Sequence, residues 1–188
     1  MNETALEKER KLYVSIDCEY TGPIPPKYSL LSIGACLVDN PDVRFYVEIK
    51  PLEGATATDS ARDVLGDQFL VKCEEQGSSP EAAMRSFAEW LEKNVQGKPI
   101  GVFFNAPSDF LFVSWYFHTY LGYNPLGINA IDMKGVYMGK FGKAWRQTNK
   151  RAIYDAGFKT SAKHTHNALD DAIEQAELFR MILDVKKA

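Results

Sequence analysis

Asp17 and Glu19 stand two residues apart where a run of β-branched and aromatic residues, 11–17, comes to its end. A strand turns successive side chains to opposite faces, so the two carboxylates point the same way and can share a divalent cation. Acids at a strand end also serve simply to face solvent. What favours the metal reading is that Asp17 ends an otherwise apolar strand, where a carboxylate without a partner is costly. A third acid, Asp109, lies in Phe103-Phe104-Asn105-Ala106-Pro107-Ser108-Asp109, where an apolar run turns into a helix opened by Pro107. The helix dipole favours an acid in any first turn, so residue type alone says little. Its place at a strand-to-helix junction says more, because α/β proteins put their sites at that end of the sheet.

Two adjacent acids follow in His166-Asn167-Ala168-Leu169-Asp170-Asp171-Ala172. At about 100° per residue, Asp171 borders the apolar face while Asp170 points nearly opposite, which makes Asp171 the inward carboxylate. His166 lies five positions earlier, too far round to share that face. It is expected on the preceding loop, reaching back towards the acids. His164 competes for the same place, and spacing does not decide between them.

The elements that must carry these residues are legible from turn and cap signals. Residues 30–38 and 44–50 read as two further strands, joined by the hairpin signal Asp39-Asn40-Pro41-Asp42, with a rigid excursion at Gly22-Pro23-Ile24-Pro25-Pro26 before them. A polar stretch leads to Ser79, an N-cap with Pro80 at the first helical position, and Gly97 ends that helix. Residues 99–104 read as a buried strand, 107–121 as a helix stopped by Gly122, 129–133 as a short strand and 167–183 as a closing helix. A meander followed by helix, strand, helix, strand and helix implies an α/β fold with a mixed sheet flanked by helices, the ribonuclease H-like arrangement. Residues 1–10 read as a polar tail and 11–188 as one domain.

Composition narrows the setting. The chain has no apolar run near the roughly 20 residues that span a bilayer, and its charged start lacks a signal peptide's apolar stretch, so a cytoplasmic location is expected. Three cysteines without CxxC spacing suggest neither a disulfide framework nor a zinc site; they are expected as small buried residues. The net charge is −3, yet residues 134–163 hold eight basic residues (Lys134, Lys140, Lys143, Arg146, Lys150, Arg151, Lys159 and Lys163) against the single acid Asp155. That stretch runs into the His166 motif. It reads either as a solvated loop or as a guide for a phosphate backbone beside the acids, with Lys150 and Arg151 as contacts.

Together these segments resemble the three motifs of the DEDDh exonuclease family, which includes ribonuclease T, oligoribonuclease and the proofreading subunit of the bacterial replicative polymerase. Asp17-Cys18-Glu19-Tyr20-Thr21-Gly22 resembles DxETTG, Leu30-Leu31-Ser32-Ile33-Gly34-Ala35 the IIEIGA strand, Asn105-Ala106-Pro107-Ser108-Asp109 NAxFD, and 166–172 HxAxxDA. Tyr20, Phe104 and Ser108 depart from the usual Thr, His and Phe; none is a metal ligand. The resemblance implies two Mg²⁺ or Mn²⁺ ions held by Asp17, Glu19, Asp109 and Asp171, with His166 as general base in 3′→5′ hydrolysis of phosphodiesters that releases nucleoside 5′-monophosphates. It further implies Tyr20, Thr21 and Asn105 as substrate contacts, Tyr20 either stacking on a base or packing.

A single-stranded substrate is expected, RNA or short oligonucleotides ahead of DNA, because the chain is small and carries no appended polymerase or helicase domain. Phe103, Phe104, Trp115 and Tyr116 read as stacking platforms or as core. A homodimer is carried over from free-standing relatives, with no residue pattern here to support it. Two other readings compete: a nuclease-like binding module without turnover, and a phosphohydrolase acting on small nucleotide esters.

Overall fold

A computed structural model describes residues 4–162 and 165–185. Its first strand, β1 (Tyr13–Tyr20), sorts its side chains between two cores. Val14, Ile16 and Cys18 enter one, while Tyr13 enters the other on the opposite face of the sheet. Next to β1 runs β2 (Leu30–Leu37), antiparallel, with Asp17 paired to Gly34 and Glu19 to Ser32. Beyond it β3 (Arg44–Glu48) completes the meander, and β4 (Ile100–Phe103) and β5 (Ala130–Asp132) extend the other edge parallel to β1. The order is β3-β2-β1-β4-β5, the expected mixed sheet.

Eight α-helices surround the sheet among the described residues: α1 (Ala5–Arg10), α2 (Asp59–Leu65), α3 (Asp67–Gln76), α4 (Pro80–Asn94), α5 (Ala106–Leu121), α6 (Met133–Phe141), α7 (Lys150–Asp155) and α8 (Ala168–Asp184). One face is covered by α4 and α5, whose Met84, Phe87, Phe112, Tyr116 and Phe117 are fully buried. The other is covered by α6 to α8, where Leu178, Phe179 and Ile182 each contribute roughly 1.5–3 kcal/mol by burial. Among the described residues no helix is long and apolar enough to cross a membrane. Cys18, Cys36 and Cys73 are buried free thiols, as expected.

One close approach brings the last helix to the acids. A Cβ on Gly34 would stand 2.1 Å from the carbonyl of Ala168, so only glycine lets the first turn of α8 touch β2. Because Gly34 is the cross-strand partner of Asp17, that contact also sets Asp171 beside β1.

Several elements differ from the sequence reading. Residues 5–10 are a helix rather than a tail: Thr4 and Glu7 form a capping box, and Arg10 reaches Asp39 and Asp184. The stretch before Ser79 holds α2 and α3, which bury no residue and only Cys73 respectively, so they contribute little to either core. The basic stretch is also structured, as α6, a 3₁₀ turn at Trp145–Gln147, and α7. β1 continues through Glu19 to Tyr20, where a register shift ends its regular pairing.

Candidate active site

Glu19, His166 and Asp171 come together at the C-terminal end of β1, each offering a ligand atom within 4.8 Å of the others. Glu19 arrives on the strand and Asp171 from the first turn of α8, fully buried. Asn167 caps that helix by accepting from the amides of Leu169 and Asp170, and the Thr165 amide donates to Asp171 Oδ1 at 2.9 Å. His166 sits on the loop before α8, exposed, with a left-handed φ of 57°. A non-glycine residue there is uncommon and marks a loop held by its surroundings. Asp170 faces outward and pairs with the Thr165 hydroxyl, so helical phase separated the two acids correctly. His164 lies outside the described residues.

Asp17 shares the cluster's electrostatics. Burial first, then the neighbouring Asp171 charge, pushes its carboxyl up to about 7. Burial, then Asp17 and Asp171, push Glu19 to about 9. Asp109, in the first turn of α5, is raised well above the carboxylate range by burial and then by Asp17 and Glu19. Asp132 ties this junction to β5, accepting from the Ala106 amide at 3.1 Å and the Gly135 amide at 2.7 Å. Carboxyls that disfavour their own ionisation this strongly, beside an imidazole, form a donor set suited to divalent cations, whose charge would reverse each shift.

Two lysines of the basic stretch reach the rim. Lys150 opposes the upward shifts of Asp17 and Glu19, and Lys134 that of Asp109. Both lie over the half-buried Phe104 ring, at 5.4 and 5.7 Å, and Lys134 also lies 4.9 Å over Trp145, which is 57% exposed. Arg151 does not join them; its side chain is 93% exposed beside Asp155.

The remaining expected contacts are already engaged within the protein. Tyr20 packs, stacked on Phe112 at 4.7 Å. Thr21 is buried; its hydroxyl donates to the Thr56 carbonyl and accepts from the Ser29 amide, so it holds the loop instead of facing the cluster. Asn105 donates to Ser108 and accepts from Lys134 Nζ. Phe103 and Tyr116 are core, and Trp115 packs partly buried against it.

Residue-by-residue reading missed Gln175 and Glu174. Gln175 is 1% exposed and donates from Nε2 to Asp17 Oδ1 at 2.5 Å. Glu174 is equally buried, pairs with Lys150 at 2.5 Å and accepts from the Tyr154 hydroxyl. Their positions three and four beyond Asp171 on one helix were the available signal.

An exonuclease family model, RNase_T, matches residues 14–179. The chain is 41% identical over 179 residues to the Escherichia coli 3′-5′ DNA exonuclease Cap18, covering 94% of both proteins. Its fold is similar to that of the nuclease domain of 3′hExo, a DEDDh family member solved bound to rAMP, with TM-score 0.72, 14% identity and 92% of both chains covered. It is also similar to cell-death related nuclease 4, with TM-score 0.68, 15% identity, and 91% of this chain and 63% of that one covered. The carboxylate cluster, the sheet that carries it and these relationships agree: the chain belongs to the DEDDh family of 3′→5′ exonucleases.

Proposed function

We propose that the chain removes nucleotides from the 3′ end of single-stranded DNA in a reaction dependent on divalent metal. The observation that carries this reading is the meeting of Glu19, His166 and Asp171 donor atoms within 4.8 Å, with Asp17 close enough to feel the Asp171 charge and Asp109 that of Asp17 and Glu19. Small size had pointed to RNA. A relative named for DNA exonuclease activity, alike over 94% of both chains, weighs more than size and moves the proposal to DNA.

Asp17, Glu19, Asp109 and Asp171 are the residues that would hold Mg²⁺ or Mn²⁺. When bound, two such ions supply Lewis-acid charge for the scissile phosphate and the departing 3′ oxygen. His166 takes the proton of the attacking water at a ring nitrogen, and its exposure lets that proton pass to solvent. The water oxygen bonds to phosphorus as the P–O3′ bond breaks. The departing O3′ gains a proton from solvent to become the 3′ hydroxyl of the shortened strand, and the released product is a nucleoside 5′-monophosphate. Lys134 and Lys150 are the proposed phosphate contacts at the rim, and the exposed face of Trp145 the proposed stacking surface for a base.

The test is release from 3′-labelled single strands of DNA and RNA in Mg²⁺ or Mn²⁺. Asp17→Asn should lower the rate by about 10³-fold, and His166→Ala by about 10²–10⁴-fold. Wild-type rates from either variant would overturn the assignment. Faster release from RNA than from matched DNA would overturn the substrate.

A further inference from the structure

The Gln175 amide joins two parts of the cluster that the backbone does not connect directly. Its Oε1 accepts from the Phe104 amide at 3.0 Å, where β4 gives way to the junction leading into α5, and its Nε2 donates to Asp17 Oδ1 on β1. The direction of the amide is dictated by chemistry. A backbone N–H can only donate, so the end facing Phe104 must be oxygen and the end facing Asp17 must be nitrogen. The side chain is 1% exposed, leaving it no exchange with water and one orientation that satisfies both partners.

We infer that Gln175 is a positioning residue: from α8 it braces Asp17 against the β4–α5 junction that carries Asp109, and so presets two of the four carboxylates for the metal ions. This rests on the exonuclease reading above. The brace is charge-assisted on the Asp17 side, and by engaging Oδ1 it leaves Oδ2 of that carboxylate for a cation. It also fixes the strand end next to Asn105, whose amide reaches Ser108 and Lys134. An apolar side chain in the same space would leave the Phe104 amide buried without an acceptor and Asp17 without its donor. Groups that orient metal-holding carboxylates in this way typically cost roughly 10- to 100-fold in metal affinity when removed.

Gln175→Met keeps the length of the side chain and removes both hydrogen bonds; Gln175→Asn keeps the amide but is too short to span both partners. Each full-length variant is assayed for Mn²⁺ binding by paramagnetic resonance, for the Mg²⁺ dependence of release from a 3′-labelled DNA strand, and for urea unfolding in EDTA. The expected result is a Mn²⁺ dissociation constant raised roughly 10- to 100-fold in Gln175→Met and by a smaller factor in Gln175→Asn, with much of the turnover recovered at saturating metal. A role in packing alone would lower the unfolding midpoint while leaving the affinity of the folded protein unchanged, and that result overturns the proposal. Should Gln175→Met fail to fold, wild-type Mn²⁺ affinity in Gln175→Asn overturns it equally. Asp17→Asn run in parallel separates the two readings. Full activity in that variant defeats the exonuclease assignment, whereas its inactivity beside unaltered metal affinity in both Gln175 variants defeats only the brace.

Discussion

The seam where α8 packs on β1 and β2 and the basic segment 134–162 both border the carboxylate cluster, but they are built on opposite terms. Along the seam every contact is close: Gly34 meets the backbone of Ala168, Asp171 and Gln175 are 1% exposed, and the side chains of Asp17 and Glu19 lie on the face that strand alternation assigns them. In the basic segment Lys134 and Lys150 reach towards the cluster and Lys140 donates to the Leu183 carbonyl, while Trp145, Arg146 and Arg151 face solvent. The seam therefore determines where the charges of the site are, and the segment tunes what approaches them. Substitutions in the first should damage folding, metal binding and turnover together; at the exposed cations of the second they should change affinity and salt dependence alone.

Two glycines give the largest expected contrast. A methyl at Gly34 collides with backbone, which no side-chain rotation relieves, so Gly34→Ala should destabilise by about 3 kcal/mol or more and lose most activity. On α6 in the basic segment, a Cβ at Gly139 meets nothing within 4 Å. There Gly139→Ala should be neutral or add up to about 1 kcal/mol through helix propensity. Urea unfolding with a parallel rate measurement decides; equal midpoints for the two variants would erase the distinction drawn above.

The next effect is smaller and specific to the seam. Asp17 at about 7 and Glu19 at about 9 hold protons in the folded state at pH values where the unfolded chain, at 3.8 and 4.5, has lost them. The folded state thus binds more protons across that interval, and linkage requires metal-free stability to fall as pH rises. The stability is fully present below the unfolded values and is lost as pH passes through the folded ones. In EDTA the urea midpoint should decline between about pH 5 and pH 9, and saturating Mg²⁺ should flatten the decline by compensating the carboxylates. A midpoint that rises with pH in EDTA would show that the cluster is not strained by its own charge.

The same contrast explains what could be read from the sequence. Strand alternation and helical phase are geometric, so the pairing of Asp17 with Glu19 and the preference for Asp171 over Asp170 emerged from spacing. Asp109 and His166 leaned on motif resemblance, because a first-turn acid and a loop histidine carry no direction of their own. Charge on the basic segment was visible as composition, but which lysines turn inward depends on the caps of α6 and α7 at Asp132 and Asn149. Helices α2 and α3 were hard to see for a related reason: α2 buries nothing, α3 only Cys73, and the apolar Val64 and Val71 face outward, 47% and 53% exposed. The α1 helix could have been found, since Thr4 and Glu7 spell a capping box. Thr21 shows the limit of carrying roles by motif, because the hydroxyl expected at the substrate is engaged by Ser29 and Thr56.

The smallest effect belongs to the most exposed cation. Arg151 has a side chain 93% exposed and a 4.0 Å pairing with Asp155, so its removal leaves nothing buried and should not alter stability measurably. If it meets the phosphate backbone at all, Arg151→Gln should lower the slope of log affinity against log salt by about one, with turnover at saturating DNA unchanged. Lys150 differs, because its ammonium pairs with the buried Glu174 and faces Asp17 and Glu19. Lys150→Gln should therefore weaken DNA binding and also lower the unfolding midpoint, since it strips a buried carboxylate of its cation. Anisotropy titrations with a single-stranded oligonucleotide between about 50 and 200 mM salt measure both slopes. Identical behaviour of the two variants in binding and unfolding would mean that the boundary between seam and segment does not pass between these adjacent residues.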